Sequence, residues 1–429
     1  MKKLLIITYF FPPANFAGSF RLYSWANYLY KYGYYPVFIT RKFEGNVNNY
    51  TNLSTPTSEG IIYEKKENFE VYYLPYKGNM KDRLMARYGK DKLIVVRKII
   101  SFFELFFQNF FISANSFKNI YYFSDKLIKR NNYAFIITSG KPYILFKFCK
   151  KLNKKYNIPW IADYRDPWST HPWFLKRGIL TRLDNYFERK WVKTASAITT
   201  CSKFWSDEIS SFVKRPGYVL YNGFEDIEVK ESLIENETFT IVHNGSLYKG
   251  QDITLFAEAV KQFISSGETK KLKILFIGIS IDNEQTERIK VNFKGYEDYI
   301  ELSERIEKNS LIQIMKQSSL LLLFGHNNFK GWYPIKVFDY LSVQKPILLC
   351  PSDNDVLEKL INETKSGFVL NEKDDIICLL NDLYEKWRKK IPLDFNPIAD
   401  IIQNYSRENQ VRNLVKTLDE VSIKEIDKK

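Results

Sequence analysis

Four short segments hold the residue types suited to an oxygen-rich, anionic ligand. Asp163, Arg165 and Asp166 stand within four residues at the end of the apolar run Trp160 to Asp163. Carboxylates accept from hydroxyls and a guanidinium donates in a fixed fork, so this cluster suits a polyhydroxylated compound. The second segment runs Gly331-Trp332-Tyr333-Pro334-Ile335-Lys336-Val337-Phe338-Asp339. Pro334 fits the first turn of a helix, and Gly331 leaves the preceding loop free to wrap a phosphate. The helix N-terminus then turns its amides toward the same anion. Lys336 and Asp339, three residues apart, share one helix face. The third segment, His243-Asn244-Gly245-Ser246-Leu247-Tyr248-Lys249-Gly250, is a glycine loop after an apolar run, with Lys249 as its cation. In the fourth, Gly18 opens a helix that bears Arg21, and the missing Cβ lets backbone amides approach a ligand closely.

These segments need elements to position them, and short apolar runs alternate with longer amphipathic ones along the whole chain. That alternation predicts parallel strands joined by crossover helices. Leu4 to Ile7, Val37 to Thr40, Phe135 to Thr138, Trp160 to Asp163 and Ala197 to Thr200 read as strands of a first domain. Phe20 to Tyr32, Tyr143 to Tyr156 and Leu180 to Thr194 read as its helices. The pattern pauses at the Asn222-Gly223 turn and the polar stretch Glu225 to Glu237. It resumes with strands Thr238 to His243, Lys273 to Ile277, Leu320 to Phe324 and Ile347 to Cys350, and with helices at Asp252 to Ile264, Ser310 to Gln317, Pro334 to Val343 and Asp374 to Lys389. The expected domains are 1–222 and 223–399, each Rossmann-like, and two such halves place a ligand cleft where strand carboxyl ends open. Residues 41 to 130 carry no recognisable motif.

Composition narrows the chemistry. The 429 residues exceed one ordinary core, and 45% hydrophobic content suits a folded soluble protein. Cys149, Cys201, Cys350 and Cys378 form no CxxC pair and read as small buried hydrophobes in a reducing compartment. His171, His243 and His326 read as loop or packing residues, and Asp353-Asn354-Asp355 as a turn rather than a metal-binding pair, so no metal is expected. The net charge is +15, and residues 77 to 130 hold twelve Lys and Arg against four acids. Ile94 to Phe111 adds six phenylalanines to that stretch, so it reads either as a core helix with a solvated basic face or as a surface for an anionic membrane. Nucleic acid is not an expected partner, because no binding module accompanies the charge.

Taken together, the segments resemble a GT-B glycosyltransferase of the large retaining group called family 4, of the surface-polysaccharide type. Ile158 to Trp168 is similar to the family's D-x-R-D-P-W run, and His243 to Gly250 to its G-x-L…K-G phosphate loop. Gly331 to Ile347 is similar to its P-x-K-x-x-E-Y-L-x-x-x-K-P-I nucleotide segment. Two departures stand out: Ser246 replaces a frequent arginine, and the E-x7-E acids read Gly331 and Asp339. The resemblance implies two Rossmann-like domains facing across a cleft, with a C-terminal helix (400–425) returning to the first. It implies acceptor binding by the loop with Gly18 and Arg21. The donor, a nucleotide sugar, would lie at Gly245, Ser246, Lys249, Gly331, Tyr333, Pro334, Lys336 and Asp339, with Asp339 taking the ribose hydroxyls. Lys336 and Lys249 would stabilise the leaving diphosphate, and Asp163, Arg165 and Asp166 would serve catalysis. The expected activity is metal-independent, retaining glycosyl transfer to a glycan or polyprenyl-linked acceptor, cytoplasmic or peripheral at the inner face of the cell membrane. A non-catalytic GT-B scaffold, a nucleotide-sugar epimerase and a phosphorylase are the alternatives.

Overall fold

The computed structural model describes residues 1–14, 17–44, 55–89, 92–113, 115–171, 178–226, 237–267, 269–280 and 282–426. Asn15 and Phe16 of the first loop, and most of the stretch from Glu225 to Glu237, lie outside the described residues. The chain divides into two compact units, Met1–Tyr221 with Gln410–Lys429, and Asn222–Asn409.

The first unit is built on β1 (Lys2–Ile7), β2 (Tyr34–Arg41), β3 (Ile62–Lys65), β4 (Glu70–Leu74), β5 (Phe135–Gly140), β6 (Trp160–Tyr164), β7 (Ala197–Thr200) and β8 (Gly217–Val219). Their order is β3-β4-β2-β1-β5-β6-β7-β8, parallel throughout except for β3 against β4. Leu4 to Ile7 and Trp160 to Tyr164 are buried on both faces, as a sheet covered by helices on each side requires. The Arg407–Ile426 helix contributes Val411, Leu414, Leu418 and Val421 to this core, and Asp419 accepts the Tyr34 hydroxyl at 2.9 Å. The final helix thus packs in the first unit although it follows the second in sequence.

The second unit has β9 (Phe239–Asn244), β10 (Leu272–Ile277), β11 (Ile300–Ser303), β12 (Leu320–Leu323), β13 (Ile347–Leu349) and β14 (Gly367–Val369), all parallel, in the order β11-β10-β9-β12-β13-β14. Both sheets run outward from their first strand and reverse beside it, at β1/β5 and at β9/β12. In doubly wound folds the carboxyl ends at such a reversal are where ligands sit. Every segment singled out from the sequence follows a strand end or opens a helix at that end of its own sheet.

Two expectations change. Cys149, Cys201 and Cys350 are buried, but Cys378 is exposed, because it stands on the solvent side of the Lys373–Arg388 helix. Pro334 is the N-cap of the Ile335–Val343 helix rather than a residue of its first turn, with φ −63° and ψ 139°.

Candidate functional site

In the first unit the register of three strands gathers one cluster. Ser139 on β5, Asp163 on β6 and Thr199 on β7 are direct neighbours across the sheet. Asp163 accepts from the Ser139 and Thr199 hydroxyls at 2.8 Å each, and from Arg21 Nη2 at 2.8 Å. It is 0% exposed, and Arg21, from the Ala17–Tyr28 helix, is 3% exposed. Arg21 lies over the Trp25 ring, and its Nε and Nη1 are buried with no hydrogen-bond partner among the described residues. Asp163 therefore ties three strands to the first helix from beneath the surface.

Arg165 and Asp166 lie higher. The Arg165 guanidinium rests against Gly18, where a Cβ would stand 2.1 Å from its Nη1, and over the Phe10 ring. Gly18 thus makes room for an arginine of another loop. Asp166 has Lys141 Nζ at 3.3 Å and Arg165 Nη2 at 3.6 Å. Burial by itself would raise this carboxyl, but the Arg165 and Lys141 cations outweigh it and hold it below the usual carboxylate range. The loop beyond is held by Glu188, wholly buried, whose Oε2 accepts the Ser169 amide at 2.9 Å; burial pushes its carboxyl up to about 7.

In the second unit Lys336 is the central group. Its Nζ donates to the Ser246 carbonyl at 2.7 Å and meets His243 Nε2 at 3.0 Å. His243 Nδ1 lies 3.0 Å from the Leu322 carbonyl, which can only accept, so Nδ1 carries the proton and Nε2 accepts from Lys336. Burial, with the adjacent Lys336 charge, drives the His243 pKa well below its ordinary value and keeps the ring neutral. Burial likewise brings the Lys336 amine down to about 7. Gly245, at φ 75°, folds the loop over this amine; a Cβ there would stand 3.8 Å from Lys336 Cε. The Tyr340 hydroxyl accepts the Asn244 amide at 2.9 Å and so pins the loop to the same helix.

The other donor-segment residues are distributed around it. Asp339 is 6% exposed, and its Oδ1 is 2.5 Å from Lys308 Nζ, at the start of the Lys308–Gln317 helix. Tyr333 is buried with its ring beside Phe338. Ser246 is exposed, and Lys249 projects outward with Glu284 3.9 Å away. Gly331, at φ 73°, donates its amide to Asp355 Oδ2 at 2.6 Å. Asp353, two residues earlier, caps the Val356–Thr364 helix by accepting the Leu357 and Glu358 amides. The two acids of Asp353-Asn354-Asp355 are thus turned to different tasks.

Three residues at this site escaped the sequence reading. Lys308 and Asp355 reach it through tertiary contacts 31 and 24 residues away from Asp339 and Gly331. Arg305 follows β11, and its Cγ would stand 3.4 Å from a Cβ on Gly278, which itself packs on Gly245. No local spacing signals any of these. A cavity of about 1160 Å³ opens instead at the amino ends of β9, β12 and β13, beside Phe239, Ser319 and Pro346, away from these residues.

No family model matches the chain, and no curated protein matches it by sequence. Solved structures do match over nearly its whole length. Sucrose-phosphate synthase from Thermosynechococcus elongatus aligns with a TM-score of 0.65 at 9% identity, covering 99% of this chain and 100% of that one. Trehalose-6-phosphate synthase OtsA aligns at 0.64 and 12% identity, covering 97% and 99%. Anabaena HepE in complex with UDP and glucose aligns at 0.61 and 11% identity, covering 98% and 100%. At such identities the likeness establishes the fold, which is the GT-B architecture.

Proposed function

We propose that this protein is a glycosyltransferase that moves a sugar from a nucleoside-diphosphate sugar, with retention and without a metal, to a glycan or lipid-linked glycan in surface-polysaccharide assembly at the inner face of the cell membrane. The observation that carries the donor reading is the buried Lys336 amine beneath the Gly245 loop, at the N-terminus of the Ile335–Val343 helix. A cation, a glycine loop and first-turn amides converging at a strand-order reversal form an anion site. HepE, similar in fold, is in complex with UDP and glucose, which supports a uridine nucleotide among the candidates. In the proposed reaction Lys336 and the helix amides neutralise the leaving diphosphate as the sugar carbon gains positive charge. Asp339 accepts from the ribose hydroxyls once Lys308 yields, and Lys249 serves the outer phosphate. Asp166, kept ionised by Arg165 and Lys141, orients the acceptor hydroxyl, and Asp163 positions Arg21.

Thermal unfolding against a panel of nucleoside diphosphates and nucleotide sugars tests the donor site. A ligand at a hundred times its Kd adds about 2.7 kcal/mol. The expected result is a selective shift for one nucleotide that Asp339→Ala abolishes. A folded protein that no nucleotide shifts would sink the reading and favour the non-catalytic scaffold.

The carboxylate absent at Gly331 has a neighbour that fits its place. Asp355, fixed on the Gly331 amide, presents an acid to the same loop and is assigned here to a donor-sugar hydroxyl. Asp355→Asn keeps an oxygen for the Gly331 amide while removing the charge. Nucleotide-sugar affinity is expected to fall roughly tenfold, the worth of a charge-assisted hydrogen bond, with nucleoside-diphosphate affinity unchanged. Equal losses for both ligands would assign Asp355 to loop structure alone.

The lipid-linked acceptor rests on the exposed phenylalanine face of the Ile94–Phe110 helix. The names of two similar structures, sucrose-phosphate synthase and trehalose-6-phosphate synthase, make a soluble sugar phosphate the second reading. Release of nucleoside diphosphate dependent on one acceptor class decides between them.

A further inference from the structure

The Ile94–Phe110 helix is amphipathic, yet it is docked the opposite way from a core helix. At 100° per residue its apolar positions cover one side, from Val95 and Ile99 through the phenylalanines, while Arg97, Glu104 and Gln108 fall together on the other. The polar side faces the protein. Arg97 is buried, Glu104 Oε1 accepts the Met80 amide at 3.0 Å, and Gln108 Oε1 accepts from Asn115 Nδ2 at 2.7 Å. The buried Lys147 amine clamps the helix end by donating to the Gln108 and Asn109 carbonyls at 2.7 and 2.9 Å. This arrangement overturns the reading of a core helix with a solvated basic face.

The apolar side is left outside. Phe102, Phe103, Phe106, Phe107, Phe110 and Phe111 are each 43 to 58% exposed, and Val95 is 69% exposed. At 150–250 Å² per aromatic side chain, these six rings expose on the order of 500 Å², as much as the largest apolar patch of an ordinary soluble monomer, before the aliphatic residues are added. The patch continues into the Ile179–Val192 helix, where Phe187 meets Phe110 edge to face and Tyr186 is 55% exposed. Exposed cations accompany it: Lys98 on the helix itself, Lys92 just before its N-terminus, and Lys81, Arg83 and Arg87 on the neighbouring Met80–Tyr88 helix. Among the described residues no helix is long and apolar enough to cross a membrane.

We infer that the Ile94–Phe110 helix lies in the plane of an anionic lipid surface, its phenylalanine face sunk into the headgroup–acyl boundary and its polar face bonded to the protein. Aromatic rings suit that boundary, and a basic rim matches anionic headgroups, which a second copy of this equally basic face would repel. The inference specifies the membrane contact of the proposed function and needs no catalysis to hold.

The test is co-sedimentation of the full chain with vesicles of phosphatidylcholine alone or mixed with phosphatidylglycerol. Binding is expected only with the anionic lipid, weakening as salt rises. Phe103→Glu with Phe107→Glu lies on the exposed side and leaves the internal contacts intact; it is expected to cut binding at least about tenfold. Lys98→Glu is expected to cut it less and to flatten the salt dependence. Absence of vesicle binding in the wild type, or binding indifferent to the phenylalanine pair, overturns the inference. So does a wild-type dimer that the same pair converts to monomer, because a second copy would then be the cover. The nucleotide-induced thermal shift, read on the same variants, separates failure here from failure of the donor site.

Discussion

Replacing Lys336 with methionine is expected to weaken nucleoside-diphosphate binding by roughly 10- to 150-fold, the worth of a lost hydrogen bond to a charged group at about 1.5–3 kcal/mol. The distinctive part of the result is its pH dependence. Burial holds the amine near 7, so at pH 7 about half of the nucleotide-free molecules carry the proton. A bound diphosphate stabilises the charged form and raises that pKa. Binding therefore takes up protons, about half of one at pH 7 and close to one at pH 8.5. Affinity is fully present below pH 7 and declines by up to roughly tenfold per pH unit above it. Calorimetry in buffers of different ionisation heat measures the uptake directly. The nucleotide's own titration is common to both proteins, so the wild-type excess over Lys336→Met isolates the lysine. An equal uptake in the two would show that Lys336 never meets the phosphate. His243 sharpens the expectation: as a neutral acceptor at 3.0 Å it aims the amine without competing as a second cation.

The parts of this site legible in the sequence are those whose chemistry is local. Gly245 and Gly331 occupy positive-φ positions, Pro334 marks a helix start, and Lys336 lies one turn before Asp339. Runs such as Leu320 to Leu323 are apolar throughout because a parallel strand is covered on both faces. They stand within a residue or two of where they were expected, except that β2 begins three residues before Val37. The strands that escaped are short or lie toward the sheet edges: β3 is exposed along its length, and β11 and β14 pair with a single neighbour. Their hydrophobic signal is correspondingly weak. The partnerships Gly331–Asp355 and Asp339–Lys308 join residues on different elements, which spacing does not report. Periodicity found the stripe on the Ile94–Phe110 helix, but a stripe looks the same whether it faces a core or a bilayer. What decides its direction is tertiary: on the polar side Glu104 accepts the Met80 amide and Gln108 accepts from Asn115, while Lys147, 37 residues beyond Phe110, bonds backbone carbonyls at the helix end.

Asp163→Ala is expected to destabilise the first unit by about 3–5 kcal/mol, because it leaves the buried Arg21 guanidinium without its counter-charge. At 2–4 °C per kcal/mol for a unit of this size, the midpoint should fall by roughly 10 °C. Two further losses add to the cost: the Ser139 and Thr199 hydroxyls lose their acceptor at the point where β5, β6 and β7 are in register. Asp163→Asn, which still accepts from a hydroxyl, is expected to cost less than alanine. Combining it with Arg21→Met removes the stranded cation and should recover much of the loss, since replacing both members of a buried pair is far milder than removing one. Thermal and urea unfolding of the wild type, Asp163→Asn, Arg21→Met and the double variant measures this coupling, with Asp163→Ala alongside. A contrasting outcome is equally readable: Asp163→Ala that unfolds like the wild type yet transfers no sugar would place the carboxylate in contact with substrate. The geometry argues for the first result, because both oxygens of Asp163 are already engaged and none of its surface reaches solvent, while Asp166, three residues on, holds a partly exposed charge between two cations. Within one short motif, then, the first acid is built into the fold, and the second keeps a partly exposed charge beside two cations.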